Sequence, residues 1–238
     1  CLPKTAWPPT STLLPAEWTS TPWHPLLACA LFIVPGVPLI NFVDDMLDNY
    51  IQVGIVRAVN TLLMVAAMAF GIAFAVKLCH IENFFPTISM VPHHQYWEYA
   101  IAAAISAMGF SMIFNIQRRL LWVVAIGGII AVCTRNFVNL GPSTDNIGLD
   151  MGLVIGSFSG AVLVSLIAIK AVHWFHVPNH VLTIPSVIPM IPGVLMYRML
   201  FGIININVQS IDQVTPLMKA IESGVNSGLV IMCIALGV

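Results

Sequence analysis

The chain has 238 residues, of which 58 % are hydrophobic and 8 % charged, with a formal net charge of −1 and a mean hydropathy of +0.92. So little polar surface cannot coat a water-soluble globule, which excludes a soluble enzyme or binding module and places the chain in a lipid bilayer. A charge this near zero offers no basic face to a nucleic acid.

Residues 1–24 carry Pro3, Pro8, Pro9 and Pro15 with little charge and no basic cluster ahead of an apolar core. They read as an irregular segment, neither signal peptide nor helix. Seven apolar stretches follow, each near the roughly 20 residues that cross a hydrocarbon core: 25–43, 54–78, 96–116, 119–138, 149–172, 181–201 and 220–238. The expected fold class is an all-α polytopic membrane protein with about seven transmembrane helices.

The first stretch is interrupted at Pro35, Gly36 and Pro38, and the sixth at Pro185, Pro189, Pro192 and Gly193. Proline lacks the backbone donor and its ring blocks an intrahelical bond, so neither crossing reads as one regular helix. Broken backbone at membrane depth is tolerated only where protein or water surrounds it, and secondary transporters build substrate and ion sites that way. The two motifs therefore point to a permeation pathway. In the fifth stretch Gly148, Gly152, Gly156 and Gly160 recur every fourth residue as a close-packing stripe. His173, His176 and His180, interrupted by Pro178, read as an interfacial turn rather than a metal site. No metal or cofactor is expected. Arg118 and Arg119, with Lys170, favour the cytoplasm for the turns after stretches three and five, against Lys4, Lys77 and Lys219 on the other side. Cys29, Cys79, Cys133 and Cys233 lie in or beside stretches, without CxxC spacing, and read as small apolar fillers.

The chain also matches itself. IVPGVPLI at 33–40 echoes MIPGVLMY at 190–197, and AVNTLLMVAAMAFGI at 58–72 aligns without gaps on GVNSGLVIMCIALGV at 224–238. Stretches one and two thus correspond to six and seven, and an offset of five crossings reverses direction. On this reading 25–80 is the last pair of spans of a first repeat and 95–238 is a second, five-span repeat in inverted orientation. About three further spans are expected ahead of Cys1.

Ionisable groups within spans are costly and mark function by default. Asp44, Asp45 and Asp48 follow the first break, as either a solvated turn or a carboxylate cluster facing a cavity and able to hold a proton or the ammonium of a substrate. Arg57 and Arg198 either snorkel to the interface or bind these carboxylates or a substrate carboxylate. Asn60 and Asn226 occupy equivalent positions beside Thr61 and Ser227, as helix staples or as cavity groups. Neither HExxH nor GxSxG is present, so the chain is not read as an enzyme.

PGVPLINFVDD followed by VGIVRA, then NIQRRLL, and finally IPSVIPMIPG with Tyr197, resemble the threonine/serine exporter family of bacterial membrane transporters, across about 26–238. The resemblance implies two homologous five-span domains, fused or made as two polypeptides, and export of threonine and serine driven by the proton motive force across the inner membrane. Related two-component members imply a dicarboxylate such as succinate as the alternative substrate, and an uncoupled channel is the rival mechanism. The expected partners are the substrate, protons, the bilayer and the missing spans or partner subunit of the first domain, with oligomers left open. The expected site combines the breaks at Pro35–Pro38 and Pro185–Gly193 with Asp44, Asp45, Arg57, Asn60, Arg198 and Asn226, and works by alternating access.

Overall fold

A computed structural model describes residues 35–78, 95–142, 147–204 and 214–238. The described residues are helical, without strands, in eight α-helices: α1 Gly36–Leu47, α2 Ile51–Leu78, α3 Tyr96–Ile113, α4 Leu121–Asn139, α5 Leu153–Phe175, α6 Asn179–Val187, α7 Gly193–Ile204 and α8 Val214–Gly237. One-turn 3₁₀ helices at Arg118–Leu120 and Ile188–Met190 lead into α4 and continue α6.

Among the described residues, four helices are long and apolar enough to cross a membrane, at Ile51–Ala75, Arg118–Asn139, Leu153–Phe175 and Leu217–Gly237, and the bent pair α6–α7 brings the number to five. α3 has 18 residues, but Tyr96, Trp97, Glu98 and Tyr99 dilute its first turn with interfacial and charged groups. α1 has 12 residues, too short to span alone. The part of the predicted first crossing that precedes Pro35 lies outside the described residues.

Glycines bring the central helices together. A Cβ on Gly156 would lie 2.7 Å from the carbonyl oxygen of Arg135, and one on Gly160 the same distance from that of Ala131, so α5 touches the backbone of α4. The predicted stripe is shorter than the sequence spacing suggests, because α5 starts only at Leu153. Gly152 caps it at φ 90°, a left-handed conformation open to glycine, and Gly148 lies in the preceding non-helical segment. In that segment Leu149 donates to Phe137 O at 2.9 Å and Met151 to Val138 O at 2.9 Å, satisfying carbonyls at the end of α4. The α5–α6 connection is the turn the histidines predict, with His176 left-handed at φ 54°.

The core gathers Leu39, Ile40 and Val43 of α1, Val65 of α2, Val132 of α4, Ala161 and Val164 of α5, and Val230, Ile231 and Ile234 of α8. The two hairpins of the internal match, α1–α2 and α7–α8, exchange partners: α1 packs on α8 and α2 on α7.

Candidate functional site

The sixth stretch is bent at one point rather than broken throughout Pro185–Gly193. Pro185 sits inside α6 and Pro189 inside the 3₁₀ turn, and the direction changes by 50° at Ile191–Pro192. Pro192 cannot donate to the turn before it, and Gly193 opens α7. The first motif behaves differently: Pro35 caps α1 and Pro38 falls in its first turn, where a missing N–H costs nothing.

The two motifs meet. A Cβ on Gly36 would stand 2.5 Å from Ile191 Cδ1 and 3.9 Å from Ile188 Cγ2, so the start of α1 abuts the bend from which α7 also starts. Two helix N-termini, each with a partial positive charge, therefore come together near Ile191, although the Gly193 amide of α7 already donates to Ile191 O at 2.8 Å and Pro38 leaves α1 one first-turn amide fewer. α4 adds a cation there. Arg135 Nη1 donates to the Met190 carbonyl at 3.4 Å, at the end of the 3₁₀ turn, while Nε and Nη2 donate to Asn136 Oδ1 at 3.4 and 3.3 Å. Asn136 is buried, and its Nδ2 has no hydrogen-bond partner. Arg135 is not among the residues that the sequence analysis assigned to the site. The signal it missed is that a bent span frees a carbonyl somewhere, and a donor on a neighbouring helix must reach it.

The carboxylates lie at the other end of α1. Asp45 Oδ2 and Arg57 Nη1 are 2.9 Å apart, which answers the question left open for Arg57; they form an ion pair without an aligned hydrogen bond. Asp45 is one-fifth exposed and Arg57 about half. Asp44, just past the predicted crossing 25–43, is half-buried. Burial pushes its carboxyl above the usual carboxylate range; His180 opposes this and the charges of Asp48 and Asp45 add to it. At about 1.5 Å rise per residue, Asp45 lies about 14 Å along α1 from Gly36. A small amino acid, whose ammonium and carboxylate share one carbon, cannot touch both ends at once.

Of the remaining predicted residues, Pro185, Pro192 and Gly193 are buried, and Arg198 on α7 is partly buried beside Tyr197, whose ring stacks on Phe201 at 5.7 Å. Asn60 is exposed and Asn226 partly buried, whereas their neighbours Thr61 and Ser227 are the buried polar pair, Ser227 Oγ lacking a hydrogen-bond partner. The helical period explains it: Thr61 shares a face with Val65 and Ala69, and Ser227 with Ile231 and Ala235, all buried. A separate cleft of about 220 Å³ between α4, α5 and α6 is lined by Gly127, Ile130, Val164, Leu182 and Ser186 among others. Its walls are apolar and the Ser186 hydroxyl already donates to Leu182 O at 2.7 Å, so the cleft offers a polar solute little.

Comparison with known proteins identifies the family. Residues 99–238 match a family model described as a threonine/serine exporter, and residues 10–79 match a second threonine/serine exporter model. No solved structure matches the chain. The matches cover both hairpins, and the family indicates an amino-acid exporter embedded in a membrane by several apolar helices rather than an enzyme. The chain belongs to the threonine/serine exporter family.

Proposed function

We propose that the protein is a secondary transporter of the bacterial inner membrane that exports threonine and serine, driven by the proton motive force through alternating access. One observation carries the reading: two helix N-termini, α1 at Gly36 and α7 at Gly193, converge on the bend at Ile191 with the Arg135 guanidinium on the same carbonyl end. Such a place favours an anion, and a substrate carboxylate is the anion an amino-acid exporter must hold. Arg198, on the second turn of α7, and the buried hydroxyls of Thr61 and Ser227 are the further polar groups assigned to the pathway on chemistry and burial alone. The distance along α1 separates the acidic cluster from this point, so Asp44 serves the coupling proton rather than the substrate ammonium, and Asp45 is held by Arg57.

The exchanged packing of α1 on α8 and α2 on α7 supports a two-fold relation between the hairpins, since an axis that exchanges them carries the one contact onto the other, and the offset of five crossings is what inverts the halves. About seven crossings, with α7 and the part of α1 up to Val43 as the second halves of broken spans, follow from the same relation. Reconstituting the full-length protein with labelled threonine, serine or succinate, with and without an imposed pH gradient, tests the proposal. Saturable threonine and serine flux driven uphill by the proton gradient is expected. Succinate as the preferred solute, or non-saturating flux indifferent to the gradient, would overturn it.

A further inference from the structure

α2 and α8 match without gaps over 58–72 and 224–238, which permits a comparison position by position of what each helix buries. Both bury the same stripe: Thr61, Val65 and Ala69 on one, Ser227, Ile231 and Ala235 on the other. Both expose the same opposite positions, among them Val59 and Val225, Leu63 and Leu229, and Phe70 and Leu236. The disagreements fall on one face. Val230, Ile234 and Gly237 are buried in α8, while Met64 and Gly71 are exposed in α2 and Met68 is only partly covered. Asn60 and Ala67, on the same side, are exposed where Asn226 and Cys233 are partly buried. In α8 this face is seated on α5: a Cβ on Gly237 would meet Ala161 Cβ at 2.7 Å and Val162 N at 3.1 Å, and Ser165 Oγ donates to Val238 O at 3.2 Å. At Gly71 nothing among the described residues lies within 4 Å. The whole helix reflects this, with 22 % of its most apolar window buried against 39 % in each of the other three long helices.

We infer that the α2 face formed by Asn60, Met64, Ala67, Met68 and Gly71 is the docking surface for a further membrane helix that carries a small-residue stripe, the counterpart of α5. Gly71 holds the position of Gly237, whose missing Cβ is what lets α8 approach the backbone of α5, so the same notch stands open on α2. A second copy of this chain cannot supply that helix through α5 itself, because Gly156 and Gly160 are occupied by α4 and Ala161 by α8. The docked helix shields Asn60, an amide otherwise left at the lipid face. The inference rests on the internal match and is independent of the transported solute.

Two measurements on the full-length protein in its native membrane test it. In the first, Gly71→Leu, Gly237→Leu and Gly228→Leu are compared for recovery of monodisperse protein after detergent extraction and for its melting temperature. Gly228 has nothing within 4 Å, and its counterpart is already Leu62, so its variant serves as the lipid-facing reference. Gly71→Leu is expected to lose most of the protein, as Gly237→Leu does; behaviour like Gly228→Leu overturns the inference. In the second, a photoreactive phenylalanine analogue replaces Met64 and the adduct is mapped by mass spectrometry. An adduct on a membrane helix with Gly, Ala or Ser at four-residue spacing supports the inference. An adduct on lipid alone, on a described helix of a second copy, or on residues 1–34 or 79–94 overturns it.

Discussion

The hairpins α1–α2 and α7–α8 begin alike, each on a Pro–Gly pair, and each requires its two helices to approach closely. They achieve that approach with glycines in different places. In the first, Gly54 of α2 lies under α1, where a Cβ would come within 2.9 Å of the Phe42 carbonyl oxygen. At the equivalent position α8 has Ala220, and the glycine is on the opposite helix: a Cβ on Gly202 would stand 2.5 Å from Ala220 Cβ. A turn later α8 has Gly224, packed against the flexible Met199 side chain. The repeat therefore dictates which helices meet, while the missing methyl that lets them meet can come from either side. The atom facing the glycine decides how firmly it is required.

The prolines give the largest expected effect of this contrast. Pro192 makes the bend where two helix N-termini converge, whereas Pro38 lies in a first turn that tolerates it. Pro192→Ala is expected to lower threonine efflux by at least about tenfold, roughly 1.4 kcal/mol on the barrier, while Pro38→Ala leaves efflux within about twofold and stability within about 1 kcal/mol. Equal loss in both variants, measured in proteoliposomes, would remove the distinction between a bend and a helix start. The glycines come next. Gly54→Ala pushes a methyl onto a backbone carbonyl and is expected to destabilise by about 1–3 kcal/mol in reversible unfolding. For Gly224→Ala, the thioether can move aside and the added methyl favours the helix, so a change below about 1 kcal/mol is expected.

Much of this was legible from residue order alone. Apolar length located the long helices, and the proline motifs marked both places where α1 and α7 start. The exact bend point was not legible: three prolines in eight residues are each able to interrupt a helix, and only packing shows that Pro185 is carried inside α6 while Pro192 is not. The asparagines show the same limit at the site. Asn60 and Asn226 attracted attention because they recur, yet a one-residue rotation of 100° separates them from Thr61 and Ser227, which face the core. The role of Arg135 was not legible because it depends on a carbonyl 55 positions away. The pairing of Asp45 with Arg57 was among the readings the sequence permitted, since a helical hairpin with a short turn brings the ends of its two arms together.

The acidic end of the first hairpin has no acidic match in the second, and its expected effects on stability are the smallest. Arg57 is about half-exposed, so a double-mutant cycle of Asp45→Asn with Arg57→Gln is expected to give a coupling below about 1 kcal/mol. A larger coupling would mean that the pair is shielded from water by something beyond the described residues. Asp45 has Arg57 beside it, whereas what acts on Asp44 is burial. Because burial raises its carboxyl in the folded state, its contribution to stability is full below the ordinary carboxylate range and is lost as pH rises through the raised value. Asp44→Asn should therefore flatten the pH dependence of unfolding on the acidic side and stabilise the protein slightly at neutral pH, whereas Asp45→Asn should destabilise it slightly there. The same pair of variants separates proton handling from charge pairing in transport. Loss of the pH-gradient response in Asp44→Asn, with downhill threonine flux retained, is the outcome expected of a proton carrier. An unchanged gradient response in that variant would instead assign the coupling proton to another group.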